Sequence, residues 1–138
     1  MRIGSLIVQY LLALIFIVFG MNHYLNFISM GQMPTGTAGQ FIAALVASHY
    51  MYVVAFFEVA PAILLLINRF VPLSLVILAP VIFNILLTNL LMAPQGLAMG
   101  LFLVILWLLS AWRVRTAFFP LLQDRPVATP VVTHARAA

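Results

Sequence analysis

The chain has 138 residues, of which 66% are hydrophobic and only 6% are charged. Soluble domains are about half apolar and about a quarter charged, so this composition excludes a water-soluble monomer and a disordered chain. The formal net charge is +4, but six arginines spread along the chain make no nucleic-acid-binding patch. The sequence has no cysteine, which excludes disulfides, thiolate metal sites and covalently attached c-type haem. The class that remains is a small integral membrane protein.

Four apolar runs follow one another along the chain, at residues 3–21, 49–67, 70–92 and 97–112. About 20 residues of α-helix cross a hydrocarbon core of roughly 30 Å. Three runs are long enough, and the fourth reaches this length if the arginines after it extend to the interface. The runs lack period-2 alternation, so we predict an all-α membrane protein, a four-transmembrane-helix bundle. The first run lacks a small-x-small cleavage site and is expected to be retained.

The segments outside these runs differ in composition. Residues 30–39 are rich in Gly, Pro and Thr and are predicted to form a loop. Residues 37–48 have helical periodicity, with Phe41 and Leu45 on one side, which predicts a short outer-face helix between helices 1 and 2. The Pro-, Ala- and Thr-rich stretch 123–138 is expected to be a disordered cytoplasmic tail after a transmembrane domain of residues 1–122.

The arginines predict the orientation of the chain. One precedes the first run, one separates the second and third, and four follow the last: Arg2, Arg69, Arg113, Arg115, Arg125 and Arg136. With four spans, all six lie on the same side of the membrane. The positive-inside rule then predicts a multi-pass protein of the bacterial inner membrane with both termini in the cytoplasm.

Glu58 is one of two acidic residues, and it lies within the second run. Its place along a helix puts it about 13 Å from the outer end, near the bilayer centre. Ionisable groups at such depth are costly and often functional. No basic residue is predicted at this depth, so the carboxyl is expected to be largely protonated. Two interpretations stay open: Glu58 exchanges a proton or binds a quinone carbonyl, or it is a neutral hydrogen-bonding group that holds helices together.

Other polar side chains are predicted in the outer half of the bundle. Asn84 and Thr88 are four residues apart on one face of the third run, and Asn22 and His23 end the first run on the same side. With Glu58 they form the candidate intramembrane site. The alternative for these groups is hydrogen bonding between helices without any ligand.

Further features carry weaker signals. His23 and His49 at adjacent helix ends could ligate a b-type haem, but interface histidines are more often hydrated caps, so no metal site is predicted. Pro80 is expected to kink the third run. Gly96 and Gly100 form a Gly-x-x-x-Gly pair that predicts a close-packing face. The sequence has no glycine-rich phosphate loop and no nucleophile–histidine–carboxylate set.

The order and spacing of several segments resemble the DoxX family of small four-helix bacterial membrane proteins. This family is related to the small subunit of thiosulfate:quinone oxidoreductase. The resemblance covers most of residues 3–122 and is carried by residues 19–24, 57–66, 69–73, 79–87, 93–97 and 111–113. The glutamate followed by small residues and leucines matches Glu58. Many members have a Phe-His pair where this chain has Thr88 and Asn89.

The resemblance implies a quinone-linked or redox-complex accessory subunit. The chain has no redox centre of its own, so any oxidoreductase activity would need a redox partner subunit, with quinone as the implied ligand. Two alternatives are a small proton-coupled carrier, which with four helices would need a homodimer, and a structural assembly subunit of a membrane complex. Glu58→Gln should be tolerated in the structural subunit and should impair the other two.

Overall fold

A computed structural model of the chain describes residues 2–29 and 33–122. The regular structure in this part is entirely helical. It comprises α1 (Arg2–Leu25), α2 (Gly36–Ala47), α3 (Tyr50–Leu66), α4 (Val71–Leu91), a 3₁₀ turn (Pro94–Gly96), α5 (Leu97–Arg113) and a final 3₁₀ segment (Arg115–Leu122). The all-α prediction is confirmed for the described residues, and a short helix follows the loop after α1 as expected. The predicted tail, residues 123–138, lies outside the described residues.

Three segments are long and apolar enough to cross a membrane: Ile3–Leu25, Val71–Leu91 and Pro94–Arg113. The helix of the second run, α3, has 17 residues and a length of about 25 Å. It meets α2 at an angle of 88°, and the two together count as a fourth, broken span. The described residues therefore hold three candidate spans, or four with the bent pair. These long apolar helices make the chain a multi-pass membrane protein.

The breaks between helices fall at residues with left-handed backbone. His49, with φ of 60°, separates α2 from α3, and Asn68 and Phe70, with φ of 54° and 53°, form the turn between α3 and α4. Residues other than glycine rarely adopt this conformation inside a helix. Pro72 in the first turn of α4 lacks the N–H that would be unpaired there, and it favours a helix start.

The four longer helices pack in a ring. α1 lies between α3 and α5, and α4 contacts the same two helices from the other side. Their shared core is apolar and includes Leu12, Phe16, Ala62, Leu65, Leu75, Leu78, Leu103 and Leu106. Many large apolar side chains on the outside of the ring are exposed, among them Leu14, Phe56, Phe83, Ile105 and Leu108. An apolar surface this extensive suits lipid rather than water.

A polar network closes one end of the ring. The side-chain amide of Gln9, which is 0% exposed, donates to the Leu65 carbonyl at 2.8 Å and to Asn68 Oδ1 at 3.1 Å. Arg113 Nη2 donates to Gln9 Oε1 and to Asn68 Oδ1. The network therefore ties α1, the α3–α4 turn and the end of α5 together. We call this the arginine end, because it also holds Arg69, Arg115 and the start of α1 at Arg2.

The Gly-x-x-x-Gly pair makes a close contact within the chain. A Cβ added at Gly100 would lie 3.1 Å from Asn89 Nδ2 and 3.5 Å from Leu86 Cδ1, and one at Gly96 would overlap Asn89 Oδ1. These two glycines let the start of α5 pack directly on the end of α4. The predicted close-packing face is therefore filled by this chain's own α4.

Candidate functional site

Glu58 lies in the middle of α3 and is only 5% exposed. Its Oε2 atom is buried and has no hydrogen-bond partner among the described residues. The nearest ionisable group is His23, whose Nε2 lies 3.6 Å from Glu58 Oε2, beyond hydrogen-bond distance. The sequence predicts His23 and Glu58 in one candidate site but no basic residue at the depth of Glu58. The structure places the imidazole of His23 directly beside the carboxyl.

The close approach of α1 and α3 explains this pairing. A Cβ added at Gly20 would lie 2.6 Å from Val59 Cγ2 and 3.3 Å from Glu58 Oε2. The helices are antiparallel, and one turn beyond this contact Tyr24 stacks on Tyr52, with ring centroids 5.4 Å apart. The Tyr24 hydroxyl donates to the Tyr52 carbonyl at 2.6 Å. In this register His23, three residues after Gly20, lies on the same face of α1 and reaches Glu58.

A cavity of about 640 Å³ lies between α3 and α4, with α2 along one side. Its walls are mostly aliphatic and aromatic, and its residues are Phe41, Leu45, Tyr50, Val53, Val54, Phe57, Glu58, Ile77, Pro80, Val81, Asn84 and Ile85. Apart from Tyr50 at the start of α3, the polar side chains that α3 and α4 contribute to this cavity are Glu58 and Asn84. Small-molecule sites are typically about 300–1,000 Å³ and have apolar walls with a few polar groups. The cavity has both properties.

A second, smaller cavity of about 210 Å³ lies on the other side of Glu58. It is lined by His23 and Glu58 together with apolar side chains from three helices: Ile15, Phe16, Phe19, Ile85, Met99 and Leu103. Glu58 therefore lines both cavities. Pro80 of α4 is among the walls of the larger one.

Two predicted site residues lie apart from both cavities. Asn22 is buried, but its side chain is engaged locally: Oδ1 accepts from the Ile28 amide at 2.7 Å, and Nδ2 donates to the Ile28 carbonyl at 3.1 Å. Thr88 lies near the end of α4, where its carbonyl accepts from the amides of Met92 and Ala93. The structure therefore places His23 beside Glu58 and Asn84 in the larger cavity with Glu58, and it gives Asn22 a role in the turn after α1.

The two histidines considered as a haem pair have different surroundings. His23 is half-buried beside Glu58, whereas His49 is exposed and lies with its ring 5.9 Å from that of Tyr52. In residues 2–29 and 33–122, no group of three or more His, Asp or Glu side chains is placed to hold a metal ion.

The residues that position this site could not be recognised in that role from the sequence. Gly20 lies in the segment that carries the family resemblance, but its contact with Glu58 depends on the partner helix. Phe41 and Leu45 were predicted to share one face of a short helix, and that face lines the larger cavity. Protein-family models, curated proteins and solved structures were compared with the chain, and none matches.

Proposed function

We propose that the chain is a DoxX-like protein of the bacterial inner membrane that binds a quinone in the cavity between α3 and α4. In this proposal α1, α3, α4 and α5 span the bilayer as a four-helix bundle. The arginine end faces the cytoplasm with both termini, and α2 lies on the outer face. The resemblance to the DoxX family and the arginine distribution support this arrangement.

The observation that carries the proposal is the buried Oε2 of Glu58, which forms no hydrogen bond to any residue that the structure describes. A buried polar atom without a hydrogen bond costs about 1–3 kcal/mol, so a ligand that satisfies it gains affinity. The larger cavity is lined by Glu58 together with Asn84 in an otherwise mostly apolar wall. A quinone has the matching chemistry, because it combines carbonyl oxygens with a flat apolar ring and a lipid-soluble tail.

In this proposal each polar side chain has its own role. Protonated Glu58 donates a hydrogen bond to one quinone carbonyl. Asn84, on α4, donates a hydrogen bond from Nδ2 to an oxygen atom attached to the quinone ring. His23 lies at 3.6 Å from Glu58 and exchanges a proton with it after a small side-chain movement. Reduction of a quinone to a quinol takes up two electrons and two protons, and a redox partner subunit supplies the electrons. The chain would therefore act as an accessory subunit.

One feature favours a second candidate function. Glu58 lines the larger cavity on one side and the smaller cavity on the other. A proton-coupled carrier, working as a homodimer, would use a titratable group between two compartments in this way. Proton uptake into proteoliposomes in response to an added substrate would distinguish this carrier from a quinone-binding subunit.

The proposal is tested by titrating the purified protein in mild detergent with a short-tailed ubiquinone analogue. Native mass spectrometry counts the bound molecules, and isothermal titration gives the affinity. We expect Glu58→Leu to weaken binding about tenfold or more, because the hydrogen bond to the quinone is lost. Thr88→Val is the matched control, since Thr88 is on α4 but lines neither cavity. Equal affinity of the wild type and Glu58→Leu would reject the proposal.

A further inference from the structure

The arginine end holds a guanidinium whose direction is set by uncharged groups. Arg113 is half-buried, and its Nη2 donates to the amide oxygens of Gln9 and Asn68. Gln9 is itself held by the Leu65 carbonyl at 2.8 Å. The side chain of Arg113 is therefore oriented by neutral acceptors, and its Nε and Nη1 make no hydrogen bond to any described residue.

The charge of this end is not compensated by the described residues. Two more arginines flank Arg113, and each lies over an aromatic ring: Arg69 is 5.7 Å from the Phe70 centroid, and Arg115 is 4.8 Å from that of Trp112. The acidic residue in the described part of the chain is Glu58, which is buried beside His23. It lies far from the arginine end, because Gly20, its neighbour on α1, is about 16 Å along that helix from Gln9. A partly buried cation without a counter-ion is costly, so an anion is expected beside it.

We propose that Arg113 binds the phosphate group of an anionic phospholipid, with Arg69 and Arg115 as flanking charges. A guanidinium held at Nη2 still has the Nε–H and Nη1–H groups as donors, and each can donate a charge-assisted hydrogen bond to a phosphate oxygen. Basic surfaces at the cytoplasmic ends of transmembrane helices bind anionic headgroups in this way.

The surface beside the arginines favours a lipid over free phosphate. Trp112 is 69% exposed and Phe70 is 62% exposed, and Leu66 and Ile67 are exposed next to them at the end of α3. Free phosphate has no apolar part that could contact these side chains. A phospholipid satisfies both surfaces, because its phosphate lies on Arg113 while its acyl chains cover the apolar side chains.

The test uses the full chain in mild detergent with added phosphatidylglycerol, phosphatidylcholine or inorganic phosphate. Native mass spectrometry measures retained lipid, and thermal unfolding measures stabilisation. We expect phosphatidylglycerol to be retained about tenfold more than phosphatidylcholine, and Arg113→Gln to lose that preference. Arg125→Gln removes the same charge from the tail and should keep the preference, which separates a site from net charge.

Because Arg113 also stabilises the helix ends, Arg113→Lys provides the second variant. It keeps the positive charge but lacks the separate Nε and Nη1 donors, so we expect the preference to fall several-fold while the helical circular dichroism stays unchanged. An unchanged preference in both Arg113 variants would overturn the proposal. Equal stabilisation by inorganic phosphate would assign the site to a free anion instead of a lipid. If the preference for phosphatidylglycerol arose only in the Asp124→Asn variant, the carboxylate of Asp124 would be the anion bound by Arg113. This result would also overturn the proposal.

Discussion

His23 Nε2 lies 3.6 Å from Glu58 Oε2, so the end of α1 and the middle of α3 place an imidazole beside a buried carboxyl. Oε2 forms no hydrogen bond within the part of the chain that the structure describes. A side chain that served only to hold two helices together would use its buried oxygens in interhelical hydrogen bonds. The stability of variants can therefore distinguish a functional carboxyl from a structural one.

We expect Glu58→Leu to raise the free energy of unfolding by about 1 kcal/mol, because a buried oxygen without a hydrogen bond to any described residue is replaced by an apolar group. Reversible unfolding in mixed detergent micelles measures the free energy. If Glu58 held the bundle together, the same variant would be destabilised. A loss of more than about 1 kcal/mol would therefore favour the structural assembly subunit.

Gly20→Ala tests the contact that sets the register of α1 against α3. The new methyl group would lie 2.6 Å from Val59 Cγ2 and 3.2 Å from Glu58 Cβ. We expect a loss of about 1–3 kcal/mol in the free energy of unfolding, since overpacking forces the helices apart. Gly4→Ala on the same helix is the control, because a Cβ there meets no atom within 4 Å. Equal stability of the two variants would contradict the close approach.

Gln9→Leu removes the centre of the network at the arginine end. We expect a loss of about 2–4 kcal/mol in the free energy of unfolding, because Arg113 and Asn68 lose a buried partner. Gln40→Leu changes an exposed glutamine of α2 in the same way and should leave stability within about 0.5 kcal/mol of the wild type. A Gln9 variant as stable as its control would show that the network does not hold the helix ends.

Asn22→Ala separates a structural polar group from the candidate site. Its side chain makes two hydrogen bonds to the backbone of Ile28, at 2.7 Å and 3.1 Å. We expect a loss of about 1–3 kcal/mol in stability, with the affinity for the quinone analogue unchanged. The Asn84→Ala variant should show the opposite pattern, because Asn84 lines the larger cavity. Loss of quinone binding in the folded Asn22 variant would place Asn22 in the site after all.

The local structure of this protein could be predicted from its sequence for a simple physical reason. Apolar runs of membrane length must satisfy their own backbone groups, so residues 3–21, 70–92 and 97–112 predict helices within a few residues of α1, α4 and α5. A lone acid inside such a run identifies Glu58, and helical spacing puts Phe41 and Leu45 on one face. Each of these properties depends on residues close together in the chain.

The tertiary structure decided which residues meet. The left-handed backbone at His49 sets an angle of 88° between the predicted short helix and the second predicted span. Because Gly20 has no side chain, α3 packs closely against α1, and this short interhelical distance brings His23 to Glu58. The residues next to Gln9 in the sequence do not show that it is buried, because its hydrogen-bond partners come from α3, the α3–α4 turn and α5. Contacts between distant segments depend on interhelical distance and register, which helical periodicity does not contain.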